Sequence, residues 1–489
     1  MKNVIYIYVA LLGVITLMST SCGKLDDIDP VFLLDADEAI TNEGSADLAL
    51  AAIYARFRTF DGTEMYAIPS LFSHVGQLEE GDNRPELNSY VANLPITTSG
   101  NIRMNEGGYA NMYDVINNVN FLIQKVADIQ VPFSTDTRKA EILAEARAMR
   151  ALAHFYLLRL WGQFYDMNSE FGINIRTAPV ISNEAFPRHT VAESYTAILE
   201  DLDNAIANAP EGKEKFFISR TAAKGLKAKV LLYMGNYNEA AMLAKDIIDN
   251  SAPEFALAPT HAELFDNTTE DILNNSELLF VTRGENNIVV GLGGTWGAAV
   301  IGNPDFVTLA NTGSVIIGSQ EITYDAPDNR MFNTFSEEGS GLKYVRRNTD
   351  DIIDVIYHLR MAEIYLIHAE ADARANSSVT ADALASLNTI RTRAGATTTG
   401  GDGFETYPDT MSLDQFLEAV RIEKSIELTT EVSEEWFDLV RYDFADGFGS
   451  GFQVSDIKAT ATNPDKFILP ISPESIQNGG GVVKQNPSY

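Results

Sequence analysis

The stretch EARAMRALAHFYLLRLWG, Glu145 to Gly162, lies within a run of apolar residues that recur at helical spacing from about 136 to 162. That period predicts a helix. Arg147, Arg150 and His154 are three and four residues apart, so they share one face of it. The stripe reads either as a clamp for a carboxylate or phosphate, or as a set of partners for carboxylates on neighbouring helices. The second reading is favoured, and Glu363 and Glu370, which also repeat on one helix face, are its candidate partners. Trp161 closes the run and reads as a core aromatic.

Working outward, the same period marks helices at about 44 to 59, 109 to 129, 190 to 208, 220 to 235, 237 to 250, 357 to 376, 380 to 394 and 413 to 429. Several form antiparallel pairs across short corners, one at Met234, Gly235 and Asn236 and another at Asn376, Ser377 and Ser378 ahead of Val379. Leu232, Tyr233, Gly235, Tyr237 and Ala240 follow the tetratricopeptide pattern in miniature, with glycine at the tight corner and small residues where helices cross. The fold class expected is mainly α, a tetratricopeptide-like helical repeat scaffold. No Pro-rich or Ser-rich linker divides the chain, so one large domain is expected.

Three segments break the pattern. Residues 60 to 108, 163 to 189 and 277 to 346 are rich in Gly, Pro, Asn, Thr and β-branched residues and far exceed an ordinary connection. Long excursions from a rigid frame commonly carry binding function. Within the last, Leu278 to Thr282, Val289 to Leu292 and Val315 to Ile317 predict a small β element.

At the N-terminus Lys2 precedes an apolar run from Val4 to Leu17, shorter than the roughly 20 residues needed to span a bilayer. It reads as a signal peptide, residues 1–21. Small residues then lead to Cys22, the only cysteine in the chain. A lone thiol in an exported protein cannot close an internal disulfide, which points to lipid attachment at Cys22. Ser19 stands where leucine is usual in a lipobox. The acidic stretch after Cys22 reads as part of a tether over 22–43.

The net charge is −32 at pH 7, and removal of Lys2 makes it more negative still. Nucleic acid is thereby an unfavourable partner, because phosphate binding needs a basic surface. The six histidines show no paired-ligand spacing, and Asp266 to Asp271 lacks the calcium-loop glycine, so no metal or cofactor is expected. No nucleophile elbow or framed carboxylate pair stands out among the 68 acidic residues, so no enzyme activity is expected.

The helix from Glu145 to Gly162 resembles a signature helix of the SusD/RagB family. So do Leu359 to Ala371, then Leu387, Asn388, Ile390, Arg391, Arg393, Ala394 and Gly395, in the same order. Asp328 with Arg330, Lys343 with Tyr344, Leu469 to Glu474, and the tail Lys484 to Tyr489 extend the likeness to the last residue. Around Glu423 and Lys424 and through Glu431 to Glu435 the sequence departs from the family's habit, then rejoins it at Asp438, Leu439 and Arg441.

The resemblance implies a SusD-like domain over 22–489, with a helical scaffold at about 44–276 and 347–441, ligand-side excursions at about 60–108 and 277–346, and a C-terminal segment 442–489. It implies a lipid-anchored, surface-exposed protein of the cell outer membrane whose partner is a SusC-like TonB-dependent transporter. The cargo is an oligosaccharide or, alternatively, a peptide; a helical interaction scaffold with no small-molecule site is the remaining reading.

For a sugar, the candidate residues lie in the excursions. Trp296, set among glycines from Gly291 to Gly297, is either a plug against the scaffold or a platform for a sugar ring. Tyr66, Phe72 and Tyr324 join it as aromatics, with Tyr90, Phe306 and Phe332 in the wider pool. Asn83, Arg84, Asp328 and Arg330 supply polar groups suited to paired hydroxyls, as do Asn303, Asp305 and Asn329. Trp436, like Trp161, reads as core.

Overall fold

A computed structural model describes residues 39–60, 68–96, 103–127, 132–182, 185–212, 214–265, 273–283, 300–324, 330–343, 355–395, 405–448 and 451–489. Ten long helices form the frame: α1 (Glu43–Arg58), α2 (Arg103–Ala127), α3 (Asp136–Trp161), α4 (Val191–Asn208), α5 (Arg220–Tyr233), α6 (Tyr237–Asn250), α7 (Met361–Asn376), α8 (Ala381–Arg393), α9 (Leu413–Glu427) and α10 (Glu434–Ala445). From α1 to α8 each packs on the next, and α9 then packs on α7 and α10. A succession of neighbour-on-neighbour pairs is the geometry of a helical repeat array.

The signature stretch forms the centre of this frame. Thr135 caps α3 by accepting from the Arg138 amide, which satisfies one of the helix's orphan donors. From Ala144 to Trp161 every residue except Arg147 is buried, because α1, α2 and α4 all pack around it. Its apolar residues point in every direction, so the helix is enclosed on all sides although it also buries Glu145, Arg150, His154 and Arg159. Gly162 ends it where a Cβ would meet Leu158 side-chain carbon at 2.7 Å.

Local chemistry fixes the other ends. Thr190 with Glu193 and Ser412 with Gln415 form capping boxes at α4 and α9. The corner between α5 and α6 turns at Gly235, whose φ of +76° suits a residue without a Cβ. Between α7 and α8, Ser377 takes the left-handed role at φ +50°.

Six short strands pair in twos: β1 (Gly76–Leu78) with β3 (Val300–Gly302), β2 (Leu278–Arg283) with β6 (Val355–Arg360), and β4 (Ser314–Ile317) with β5 (Gln320–Thr323), all antiparallel. The helix expected from 357 begins instead at Met361. Residues 355–360 form a strand buried on both faces, and a continuous apolar run carries no period that separates helix from strand. The strands expected at 278–282 and 315–317 are present, whereas Val289–Leu292 lies outside the described residues. Helix α10 follows from no apolar period recognised in the sequence.

A large core runs through α1–α5, β2, β6, α7 and α10. A smaller one gathers Ala362, Leu366, Leu387, Ile390, Phe416 and Val420 with Ile317 and Ile322 under α7, α8 and α9. Trp161 and Trp436 are each 1% exposed, as core aromatics should be. No described helix is long and apolar enough to cross a membrane.

Candidate functional site

The excursions 60–108 and 277–346 meet through strands more than 200 residues apart in sequence. Gly76, Gln77 and Leu78 of β1 lie opposite Gly302, Ile301 and Val300 of β3. The Asn303 amide donates to the Val75 carbonyl at 2.8 Å and the Gly302 amide to the Gly339 carbonyl at 2.8 Å. Three loop segments are thereby tied into one lobe at the side of the helical frame. Asn303 accepts from the Asp305 amide and caps the helix Pro304–Thr312.

What this lobe exposes is narrower than the sequence suggested. Phe72 is 1% exposed and packs on Tyr90 and Trp436, with ring centroids 5.5 and 5.3 Å away. Tyr324 is 4% exposed, and Phe306 and Tyr90 are 2% exposed. Arg330 is 1% exposed and bound to Glu423 at 2.6 Å and Glu427 at 3.0 Å. Phe72, Tyr324 and Arg330 are therefore not ligand-facing, contrary to the expectation: short helices, Ile68–Phe72 and Arg330–Thr334, turn Phe72 and Arg330 into the core, and Tyr324, just past β5, is held there by its amide's bond to the Gly313 carbonyl.

Asn83 and Arg84 are exposed. Arg84 grips Asp82 with Nη2 2.7 Å from Oδ2, and the hydrogen bond from Arg84 holds the Asp82 carboxyl below its ordinary range. Phe332, 66% exposed, is the one exposed phenylalanine or tryptophan among the described residues. Trp296, Tyr66, Asp328, Asn329 and Cys22 lie outside the described residues.

The stripe on α3 does serve packing, but with other partners. Arg150 forks onto Asp201 of α4, at 2.8 and 2.7 Å, a bidentate geometry that favours arginine. His154 accepts from the Arg176 amide at 3.4 Å. Glu363 pairs with Lys229 at 2.9 Å, and Glu370 with Arg374 at 2.9 Å and Arg441 at 3.0 Å.

A larger charged centre escaped the sequence altogether. Arg330, Lys343, Arg360 and Arg393 interleave with Glu277, Glu423, Glu427 and Glu431, all of them buried or nearly so. Each charge has opposite neighbours, which offsets the cost of removing it from water. Glu423, Glu427 and Glu431 sit at intervals of four along α9 and just past it, and that spacing was the available signal. No group of described residues has the geometry to hold a metal ion.

The tail motif has a structural office as well. Asn486, 2% exposed, donates from Nδ2 to the carbonyls of Trp161 at 2.9 Å and Leu469 at 2.7 Å, and its Oδ1 accepts from Arg188 at 2.7 Å. It clasps the end of α3 to the C-terminal segment.

Two family models match the chain: one described as "SusD family" over residues 328–489, the other as "Starch-binding associating with outer membrane" over residues 77–232. Over these two segments the chain is similar to the SusD family. A "SusD-like protein" of Bacteroides ovatus is 25% identical over 249 residues, covering 50% of this chain and 42% of that protein. "SusD-like protein P38" of Formosa agariphila is 23% identical over 289 residues, 58% of this chain and 52% of that one. The matches thus span about half the length of these SusD relatives.

Among solved structures, a SusD superfamily protein from Bacteroides thetaiotaomicron superposes with a TM-score of 0.73 at 22% identity, covering 91% of this chain and 100% of that one. A "laminarin binding SusD-like protein" superposes with a TM-score of 0.68 at 20% identity, covering 92% and 100%. The mainly helical SusD fold is shared throughout.

Proposed function

We propose that this chain is a nutrient-binding lipoprotein of the outer membrane, anchored through Cys22, that takes up an oligosaccharide and delivers it to a SusC-like TonB-dependent transporter. The observation that carries the reading is the lobe built by the β1–β3 ladder: two long loop excursions are held together by backbone bonds on a rigid helical frame. A scaffold that merely held a partner would have no need of it. The family description places its members with the outer membrane and with starch, and one structural relative is titled laminarin binding. In this reading the protein captures and releases, and no bond is made or broken.

Sugar recognition needs an aromatic face with polar groups beside it. Phe332 offers the face, Asn83 and Arg84 are exposed polar candidates, and Trp296 is proposed as a second platform. Calorimetry of the chain beginning after Cys22, against plant and algal oligosaccharides and against peptides, tests this directly. Saturable glycan binding weakened about tenfold by Phe332→Ala or Trp296→Ala supports it. Binding confined to peptides would replace the cargo, and silence across the panel with the transporter present would overturn the reading.

A further inference from the structure

Asp414, Leu417, Glu418 and Arg421 follow one another on α9 at spacings of three, one and three, so they share a face. With Tyr442 of α10 and the segment from Gly451 to Ile457, that face lines a cleft of about 600 Å³. No residue of the β1–β3 lobe contributes to it.

Arg421 is the unusual member. It is 5% exposed, and its guanidinium lies 4.7 Å from the centre of the Phe452 ring. Other buried arginines meet carboxylates: Arg150, Arg159, Arg330, Arg360 and Arg441 each have one within 3.0 Å. Arg421 has no carboxylate at ion-pair distance and no hydrogen-bond acceptor among the described residues, although Glu418 stands one turn away on the same helix. Burial holds its pKa below the ordinary guanidinium value. The ring face offsets part of the cost of burying the charge, and the guanidinium nitrogens, which have no acceptor among the described residues, open onto the cleft and are not sealed from water.

The rim has the opposite sign. Asp414 and Glu418 are exposed. Asp446 and Asp456 line the cleft with one oxygen each committed to a backbone amide, that of Phe452 at 2.9 Å and of Gln453 at 3.0 Å. Arg374, the other cation in the lining, is neutralised by Glu370 at 2.9 Å. A simple anion would meet four carboxylates on entry, and a simple cation would leave Arg421 unanswered.

We propose that this cleft binds a small zwitterion, its carboxylate on the Arg421 guanidinium and its ammonium group on the acidic rim formed by Asp414 and Glu418. The site is additional to the lobe and stands whether or not the lobe takes sugar. Titrate the full chain calorimetrically with glycylglycine, glycylglycine amide and glucuronate. Saturable binding of glycylglycine is expected, at least tenfold weaker for the amide, which lacks the carboxylate, and for glucuronate, which lacks the ammonium. Arg421→Gln should abolish it, and the paired change Asp414→Asn with Glu418→Gln, confined to exposed side chains, should weaken it severalfold with folding intact. Equal binding of the amide, tighter binding of glucuronate, unaltered binding in either variant, or no saturable binding of glycylglycine would overturn the proposal.

Discussion

Arg360 Nη1 lies 2.7 Å from Glu427 Oε1, with both side chains at most 1% exposed, at the junction where β6 becomes α7. Glu427 also receives Arg330 and Arg393, while Arg360 also holds Glu277 and Glu431. Removing one partner leaves the others charged, buried and uncompensated, a loss of about 3–5 kcal/mol. Glu427→Gln should therefore lower the urea midpoint by that equivalent at neutral pH. A loss below about 1 kcal/mol, the scale of an exposed pair, would show that water reaches the cluster.

Acid should unfold the protein in two stages. Burial, then Arg150, His189 and Arg176, push His154 down from its ordinary 6.5 to about 3. The unfolded chain thus binds a proton that the folded chain refuses, and stability falls as pH drops below about 6.5. Burial raises Glu370, but Arg441 and Arg374 outweigh it and hold it at about 2. Its contribution is full above about 4.5 and is lost as pH falls through 2. With Glu435 replaced by Gln, which removes the opposing titration described next, thermal midpoints between pH 8 and pH 3 should decline gently below about 6.5 and then steeply below 4.5, and a midpoint flat from pH 7 to 5 in that variant would contradict the first stage.

Glu435 behaves in the opposite sense. Burial pushes its carboxyl up to about 7, and its only described partner at short range is the Ser70 hydroxyl. The folded state keeps a proton that the unfolded state has released, so this group's stabilising effect fades as pH rises from about 4.5 through 7. Glu435→Gln removes the ionisation, and the variant should gain stability relative to the parent between pH 6 and pH 8. Parallel shifts of the two proteins over that interval would refute the assignment.

Asn486 makes three hydrogen bonds out of contact with water. Asn486→Ala strands the Leu469 carbonyl, and an unsatisfied buried group costs about 1–3 kcal/mol, while the Trp161 carbonyl is left with the single donor Arg188 Nη2 at 3.0 Å. The expected signature is faster hydrogen exchange at the end of α3 and in residues 467–471, together with a lower thermal midpoint. Unchanged exchange there would mean that water substitutes for the amide.

The frame was legible because helices announce themselves locally. The period that predicted 136 to 162 and 237 to 250 is written within each segment, and the helices lie at Asp136–Trp161 and Tyr237–Asn250. Partner choice is not local: Arg150 could be seen to face one way on α3, yet nothing near it in sequence names Asp201. The same limit misplaced Phe72, Tyr324 and Arg330. Their segments have loop composition, and helices of five residues such as Ile68–Phe72 and Arg330–Thr334 are too short to show a period. Arg421 passed unnoticed because an arginine without a partner looks, in sequence, like any other.

The ladder between β1 and β3 has a consequence for how such a protein can change. A backbone ladder joins the strands, and the sterically fixed positions are the glycines: a Cβ on Gly76 would meet the Ser70 carbonyl at 3.0 Å, and one on Gly302 would meet the Phe335 ring at 3.0 Å. Gln77 and Ile301, opposite one another between them, are half-exposed. A lineage, or an engineer, can rewrite what the joint displays while the joint itself stays closed, so new preferences can be tried one side chain at a time without refolding the architecture that carries them.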